Sequence, residues 1–270
     1  MFRWLHRFVA CVRCLHSPWA PPGRVPLRGP MTPDVETFIN RLNAASDELL
    51  ECTWPQGRNP DSPWDGDHYR LPGTERPLSV SRTEARFLAH FARLLDCRTI
   101  LEIGTGFGYS STWLAWGLSQ CTQPNVVYTI DDASEGSLGL HGFQTASRLW
   151  AATELSHLVR PVIGRSPDVL AELTDIQADL VFIDGEHRAG QPRMDYQGCR
   201  AHLSPTACVV FHDVQEKYDV HEAVAMSSGD GFIPVPLNTS CEPVVAVRDD
   251  RQKDIALQAL TLALRGTGLG

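Results

Sequence analysis

Two aspartates and two histidines stand at the ends of two apolar runs that read as strands. Asp184 follows the run at 179–183 with His187 three residues later, and His212 and Asp213 follow the run at 207–211. In an open α/β sheet, ligands bind beyond the carboxyl ends of the strands, so we expect these side chains to surround one cavity. An Asp, His and Asp set there can bind a divalent cation.

A glycine loop lies upstream, in Thr99-Ile-Leu-Glu-Ile-Gly-Thr-Gly-Phe-Gly-Tyr-Ser-Ser111. Glycines at alternate positions let the backbone turn sharply against a ligand, and the following helix presents free amides there. The third glycine comes two positions after the second, whereas the dinucleotide fingerprint G-x-G-x-x-G spaces them by three. Glu102, just before the loop, suits a cationic ligand better than a pyrophosphate. A nicotinamide dehydrogenase is therefore the least favoured hypothesis for the function.

The elements that position these residues alternate between strand and helix. The patterns predict strands near 99–103, 126–131, 160–163, 179–183 and 207–211, with helices near 109–118, 137–157, 167–173, 192–202, 215–226 and 251–264. Two late runs, Phe232 to Val235 and Pro243 to Val247, predict an antiparallel edge pair. Such alternation implies right-handed crossovers. We therefore expect a Rossmann-like, doubly wound α/β sheet that is mostly parallel.

Three regions are predicted along the chain. Residues 1–30 contain five arginines and no acidic residue, and are expected to be a weakly ordered basic extension. The region 31–79 should hold a helix from Thr32 to about Glu51 and an aromatic loop at 52–78, which we interpret as a substrate lid. The main domain, 80–270, opens with the capping-box spacing Ser81-Arg-Thr-Glu84.

Charge and composition limit the partners. The net charge is -8, and without the first 30 residues 19 basic residues face 32 acidic ones. An acidic body should repel nucleic acid, and no apolar run is long enough to span a bilayer. Eight irregularly spaced cysteines indicate reduced thiols and a cytoplasmic location. A small-molecule partner is expected, and homo-oligomerisation is left open.

The segment from Glu102 to Gly108 resembles the motif Glu-x-Gly-x-Gly-x-Gly of class I S-adenosylmethionine-dependent methyltransferases, matching every fixed position. The resemblance implies S-adenosylmethionine as cofactor. Asp131, at a strand end, would accept bonds from the ribose hydroxyls. Ser166 would border the adenine and Ser110 would hold the methionine carboxylate, although both also suit a helix N-cap. The implied cofactor set is Glu102, Gly104, Thr105, Gly106, Gly108, Ser110, Asp131, Arg165, Ser166 and Asp184.

The strand ends resemble those of metal-dependent small-molecule O-methyltransferases, namely the catechol, caffeoyl-CoA and macrolide sugar types. The resemblance places metal ligands at Asp184, His212 and Asp213. His212 departs from the usual oxygen ligand, which favours Mn²⁺ or another nitrogen-tolerant metal over Mg²⁺ and leaves a metal-free site open. His187 occupies the position of the general base, and histidine titrates near neutrality. The predicted catalytic residues are His187 and Asp184.

The resulting hypothesis is an enzyme that transfers a methyl group from S-adenosylmethionine to a hydroxyl of a small molecule. Two alternatives stay open. One is a cephalosporin-hydroxylase-like metal enzyme on the same fold, and iron dependence would distinguish it. The other is a non-catalytic protein that binds S-adenosylmethionine.

Overall fold

The structure is a computed structural model that describes residues 37–45, 79–133 and 139–265. Helix α1 spans 37–45. Further helices are α2 (Arg82–Leu94), α3 (Tyr109–Ser119), α4 (Gly139–Ala152), α5 (Gln191–Cys199), α6 (Val220–Gly229) and α7 (Asp250–Leu264). The strands are β1 (Thr99–Ile103), β2 (Val126–Asp131), β3 (Val159–Ile163), β4 (Ala178–Ile183), β5 (Leu203–Phe211), β6 (Ile233–Pro236) and β7 (Val244–Val247).

Across the described residues, these strands form one sheet in the order β3-β2-β1-β4-β5-β7-β6. Strands β1 to β5 pair in parallel, and β7 pairs antiparallel with both β5 and β6. The Rossmann-like fold with its antiparallel edge pair is therefore confirmed. Ile103 lies opposite Ile183, which lies opposite Phe211. Because these strand ends are level, the residues that follow β1, β4 and β5 meet at one edge of the sheet.

The sheet separates two buried apolar clusters that fix its helices. One cluster joins α1, α2, α3, α4 and α7, with Phe38 packed edge-on to Trp113 and stacked on Trp116. The other joins α5 and α6 around Tyr196, whose ring packs on Phe211. Burying each such large side chain contributes about 1.5–3 kcal/mol.

Several predicted boundaries differ from the structure. The helix predicted at 137–157 ends at Ala152, because Glu154 adopts a left-handed backbone with φ 64°. The helix predicted at 167–173 is a 3₁₀ turn, Val169–Glu172. The helix predicted from 215 begins at Val220, because residues 213–219 form a loop that includes Asp213 at φ 54°.

The predicted extension at 1–30, most of the first predicted helix and the aromatic loop at 52–78 lie outside the described residues. Within the part that is described, no helix has both the length and the apolar composition needed to cross a membrane.

Candidate active site

The glycine loop packs directly against the chain that leaves β4. Gly104 has φ 96°, and a Cβ atom there would lie 2.2 Å from the carbonyl oxygen of Asp184. The amide of Asp184 donates to the carbonyl of Ile103 at 2.9 Å. Only glycine allows this approach, so the loop and Asp184 hold each other in place.

Asp131, at the end of β2, holds the same loop from the other side. Its Oδ2 accepts the amides of Thr105 and Gly106, both at 3.1 Å, and its Oδ1 accepts the amide of Ala133 at 2.9 Å. These two loop amides are therefore already bonded within the protein. The N-cap of α3 is Gly108, which has no side chain to cap the helix.

Glu102 is fully buried beneath the loop. Ser110 donates to its Oε1 at 2.6 Å, and Thr129 donates to its Oε2. Burial raises the pKa of Glu102 to about 8, despite the two hydroxyl donors that lower it. Ser110 therefore lies within α3 and its hydroxyl bonds Glu102. The alternative that Ser110 is the N-cap of this helix is wrong, because the N-cap is Gly108.

The raised pKa of Glu102 predicts a pH dependence of stability. The folded chain holds this proton between the ordinary pKa of 4.5 and about 8, so the free energy of unfolding should fall as pH rises through that interval. One pKa unit corresponds to about 1.4 kcal/mol, so the total reaches several kcal/mol. In urea unfolding across this range, Glu102→Gln should have a flatter profile than wild type. The exposed Glu222→Gln serves as control, and equal slopes in all three would contradict the prediction.

The four residues at the ends of β4 and β5 form one cluster. Asp184 Oδ1 accepts from His212 Nδ1 at 2.9 Å and from His187 Nε2 at 3.2 Å. Asp213 Oδ2 lies 3.5 Å from His187 Nδ1. The left-handed backbone of Asp213 turns the chain so that its carboxylate faces His187. The structure therefore brings Asp184, His187, His212 and Asp213 together, as the strand ends predict.

The charged groups of this cluster shift one another's pKa values. Burial would raise the pKa of Asp184, but His212 and His187 outweigh it and lower the pKa to about 2. Burial raises the pKa of Asp213, and the nearby Asp184 adds to this. Burial acts to lower the pKa of His212, yet Asp184 and further partners raise it well above its usual value. The buried anions are thus matched by imidazoles.

Arg165 and Ser166 lie in the loop after β3, against α5. Gln191 Nε2 donates to the Ser166 carbonyl and to Asp195 Oδ1, both at 2.7 Å, and Arg165 donates to Gln191 Oε1 at 3.1 Å. Burial raises the pKa of Asp195 to about 6. Ser166 does not cap the following 3₁₀ turn, whose N-cap is Asp168, so its helix-capping alternative is wrong.

The sequence patterns missed three residues around the site. The sequence pattern predicts only a helix-capping role for Glu84, yet its carboxylate lies 3.3 Å from His212 Nε2. Thr129 bonds Glu102, and Asp195 lies under the loop after β3. The alternation in β2 could have marked Thr129 as an inward polar residue, whereas the 128-residue separation of Glu84 from His212 leaves no sequence signal.

Comparison with known proteins agrees with this fold. A family model described as "Methyltransferase domain" matches residues 101–214. A protein of Mycobacterium avium (strain 104) named "Putative O-methyltransferase" is 31% identical over 193 residues, covering 71% of this chain and 76% of the relative. A protein of the same name from Mycobacterium sp. (strain JLS) is 34% identical over 135 residues, or 50% of this chain. The match covers 56% of that relative, little more than half its length.

Among solved structures, the fold is similar to the O-methyltransferase TomG from Streptomyces achromogenes, which is involved in tomaymycin synthesis and was crystallised with S-adenosylmethionine. The identity is 23%, the TM-score is 0.57, and the match covers 77% of this chain and 88% of TomG. The sheet order and the loop after β1 define a Rossmann-like methyltransferase fold. This chain belongs to the O-methyltransferase family, which confirms the resemblance carried by Glu102 to Gly108.

Proposed function

We propose that the chain is an S-adenosylmethionine-dependent enzyme that methylates a hydroxyl group of a small molecule. The observation that carries this proposal is the His187 imidazole, which lies between the carboxylates of Asp184 and Asp213. Asp184 in turn packs on the glycine loop, so it connects the base to the cofactor loop. Family membership favours methyl transfer over hydroxylase-type chemistry.

The cofactor would lie along the carboxyl edge of β1, β2 and β4. Glu102 and Ser110 lie beneath the glycine loop and support it, whereas the Asp131 carboxylate beside the loop gives this edge a negative charge that suits a sulfonium. Thr105, Gly106 and Gly108 supply the loop itself, and Arg165 and Ser166 flank the position expected for the adenine. Because Asp131 already accepts three backbone amides, two of them from the loop, we propose that it binds the ribose through the acceptor site that remains on Oδ1 while keeping the loop in shape.

Methyl transfer needs a nucleophilic oxygen aligned with the carbon–sulfur bond. The acceptor oxygen attacks the methyl carbon, the bond from that carbon to sulfur breaks, and S-adenosylhomocysteine leaves neutral. The hydroxyl proton passes to His187 Nδ1, since Nε2 already donates its proton to Asp184. Asp184 orients the imidazole and, with Asp213, stabilises the imidazolium that forms, as carboxylates do for other histidine bases.

The donor set at this site fits a divalent cation. Ligand atoms of Asp184, His187, His212 and Asp213 all lie within 4.8 Å of one another. Asp184, His212 and Asp213 would hold the ion, with His212 Nδ1 first losing the proton that it donates to Asp184, and the mixture of nitrogen and oxygen donors suits Mn²⁺ better than Mg²⁺. When bound, the ion would help orient the acceptor hydroxyl and lower its pKa.

The acceptor is proposed to be a small molecule selected by the aromatic residues of the 52–78 loop, acting as a lid. The acidic balance of the chain argues against nucleic acid as a substrate. The proposed location is the cytoplasm, on the basis of cysteine content and spacing.

Titration with S-adenosylhomocysteine tests the cofactor assignment. We expect micromolar binding by isothermal calorimetry, weakened at least about tenfold by Asp131→Ala, which removes about 1.4 kcal/mol or more of contacts. Asp132→Ala, at the adjacent exposed position, is the matched control and should bind like wild type. Absence of binding by the wild-type chain, with or without Mn²⁺, would overturn the proposal.

A further inference from the structure

Glu84 lies at the N-terminus of α2, far in sequence from the site, yet its carboxylate collects donors from three parts of the chain. Oε2 accepts the Ser81 amide at 2.9 Å. Oε1 accepts the Thr239 hydroxyl at 2.7 Å and the Cys241 amide at 3.0 Å, both from the connection between β6 and β7. The fourth neighbour of this carboxylate is His212 Nε2, at 3.3 Å.

These contacts fix the direction of every hydrogen bond at Glu84. A carboxylate has about four acceptor sites and no proton to give. Two of its neighbours are backbone amides, which can only donate, and the Thr239 hydroxyl donates as well. An unprotonated Nε2 would place a lone pair against a carboxylate oxygen in a buried site, so His212 donates Nε2–H to Glu84.

With Nε2 facing Glu84 and the neighbouring Cys241 thiol, the other nitrogen of His212 is directed at the catalytic cluster. Nδ1 lies 2.9 Å from Asp184 Oδ1, the same oxygen that bonds His187. Glu84 and His212 are 2% and 4% exposed, so water competes little for these bonds. A carboxylate that holds the far nitrogen of a histidine is the arrangement that orients histidine ligands and histidine bases.

We propose that Glu84 is a positioning residue for the reaction, which acts through His212 and Asp184 to fix the His187 base. The inference rests on the proposed function, because it assigns Glu84 to the same methyl-transfer site. Glu84 itself does not touch the reacting atoms. Its second role, as the capping box of α2, is separable because the other half of that box is Ser81.

The test compares Glu84→Gln with two matched controls in the full chain. Glu84→Gln keeps the size of the side chain but replaces one acceptor by a donor. Ser81→Ala removes the helix-capping hydroxyl while keeping the Ser81 amide, and Thr239→Val removes one donor to Glu84 without touching His212. Circular dichroism melts identify a temperature at which all variants are folded.

The first measurement is the downfield ring N–H proton of His212 Nε2 by NMR, assigned by its absence in His212→Asn. We expect this resonance in wild type, Ser81→Ala and Thr239→Val, and its loss in Glu84→Gln. The second is steady-state methyl transfer, where we expect kcat to fall about 10- to 100-fold in Glu84→Gln with unchanged KM for S-adenosylmethionine, and wild-type kcat in both controls.

An unchanged His212 resonance in Glu84→Gln would overturn the proposal, and so would a kcat no lower than that of Ser81→Ala. Failure of the proposed function has a different outcome, the absence of S-adenosylhomocysteine binding by wild type. The NMR measurement needs no cofactor or acceptor, so the two failures are distinguishable.

Discussion

Replacing Gly104 with alanine should abolish measurable S-adenosylhomocysteine binding and lower the free energy of unfolding by about 3 kcal/mol or more. A non-glycine residue at such a positive φ costs about 1–3 kcal/mol. The new Cβ would also lie 2.2 Å from the Asp184 carbonyl oxygen, so backbone must move on one side of the contact. Either movement separates the cofactor loop from Asp184. Calorimetry and urea unfolding measure the two effects.

Gly231 supplies the matched control for this change. It also has a positive φ, of 84°, but a Cβ there would meet no atom within 4 Å. Gly231→Ala should therefore lose about 1–2 kcal/mol of stability and keep wild-type affinity for S-adenosylhomocysteine. If Gly104→Ala behaved like Gly231→Ala, the packing of the loop on Asp184 would not matter for binding.

His187→Ala should lower kcat about 100-fold or more and leave the affinity for S-adenosylhomocysteine unchanged. General bases contribute about 10²–10⁴-fold to proton-transfer steps. The His187 ring packs 5.0 Å from the Tyr218 ring and bonds Asp184, and its hydrogen bonds, ion pairs and ring contacts within the described residues join Asp184, Asp213 and Tyr218. Loss of turnover without loss of cofactor binding is thus the expected pattern.

The control for His187→Ala is His221→Ala, an exposed histidine that bonds only the Tyr218 carbonyl among the described contacts. Its kinetics should match those of wild type. Turnover by His187→Ala within threefold of wild type would remove His187 from the mechanism.

The sequence predicted the cluster because strand ends are readable from local pattern. Asp184 and His212 each follow an apolar run, and level parallel strands bring such positions together without any knowledge of their side-chain partners. The glycine loop could also be predicted from local sequence, because Glu102 and the three glycines lie within seven residues.

The features that the sequence did not predict depend on contacts between residues far apart in the chain. Asp131 was predicted as a ribose acceptor, and the structure adds its bonds to the loop amides, which no spacing rule reveals. The start of α6 at Val220 instead of 215 follows from the loop around His187, whose carbonyl accepts the Asp219 amide. The capping box accounts for Glu84 from local sequence alone, so the sequence gives no reason to expect its contact with His212.

The most direct test of the account is transfer of a trideuteromethyl group from labelled S-adenosylmethionine to a panel of small-molecule hydroxyl acceptors, with and without Mn²⁺, followed by mass spectrometry. We expect the wild-type chain to form a labelled methyl ether and an equal amount of S-adenosylhomocysteine, and His187→Ala to form much less of both. Label found on nitrogen or carbon, or tight cofactor binding with no transfer to any hydroxyl acceptor, would contradict it.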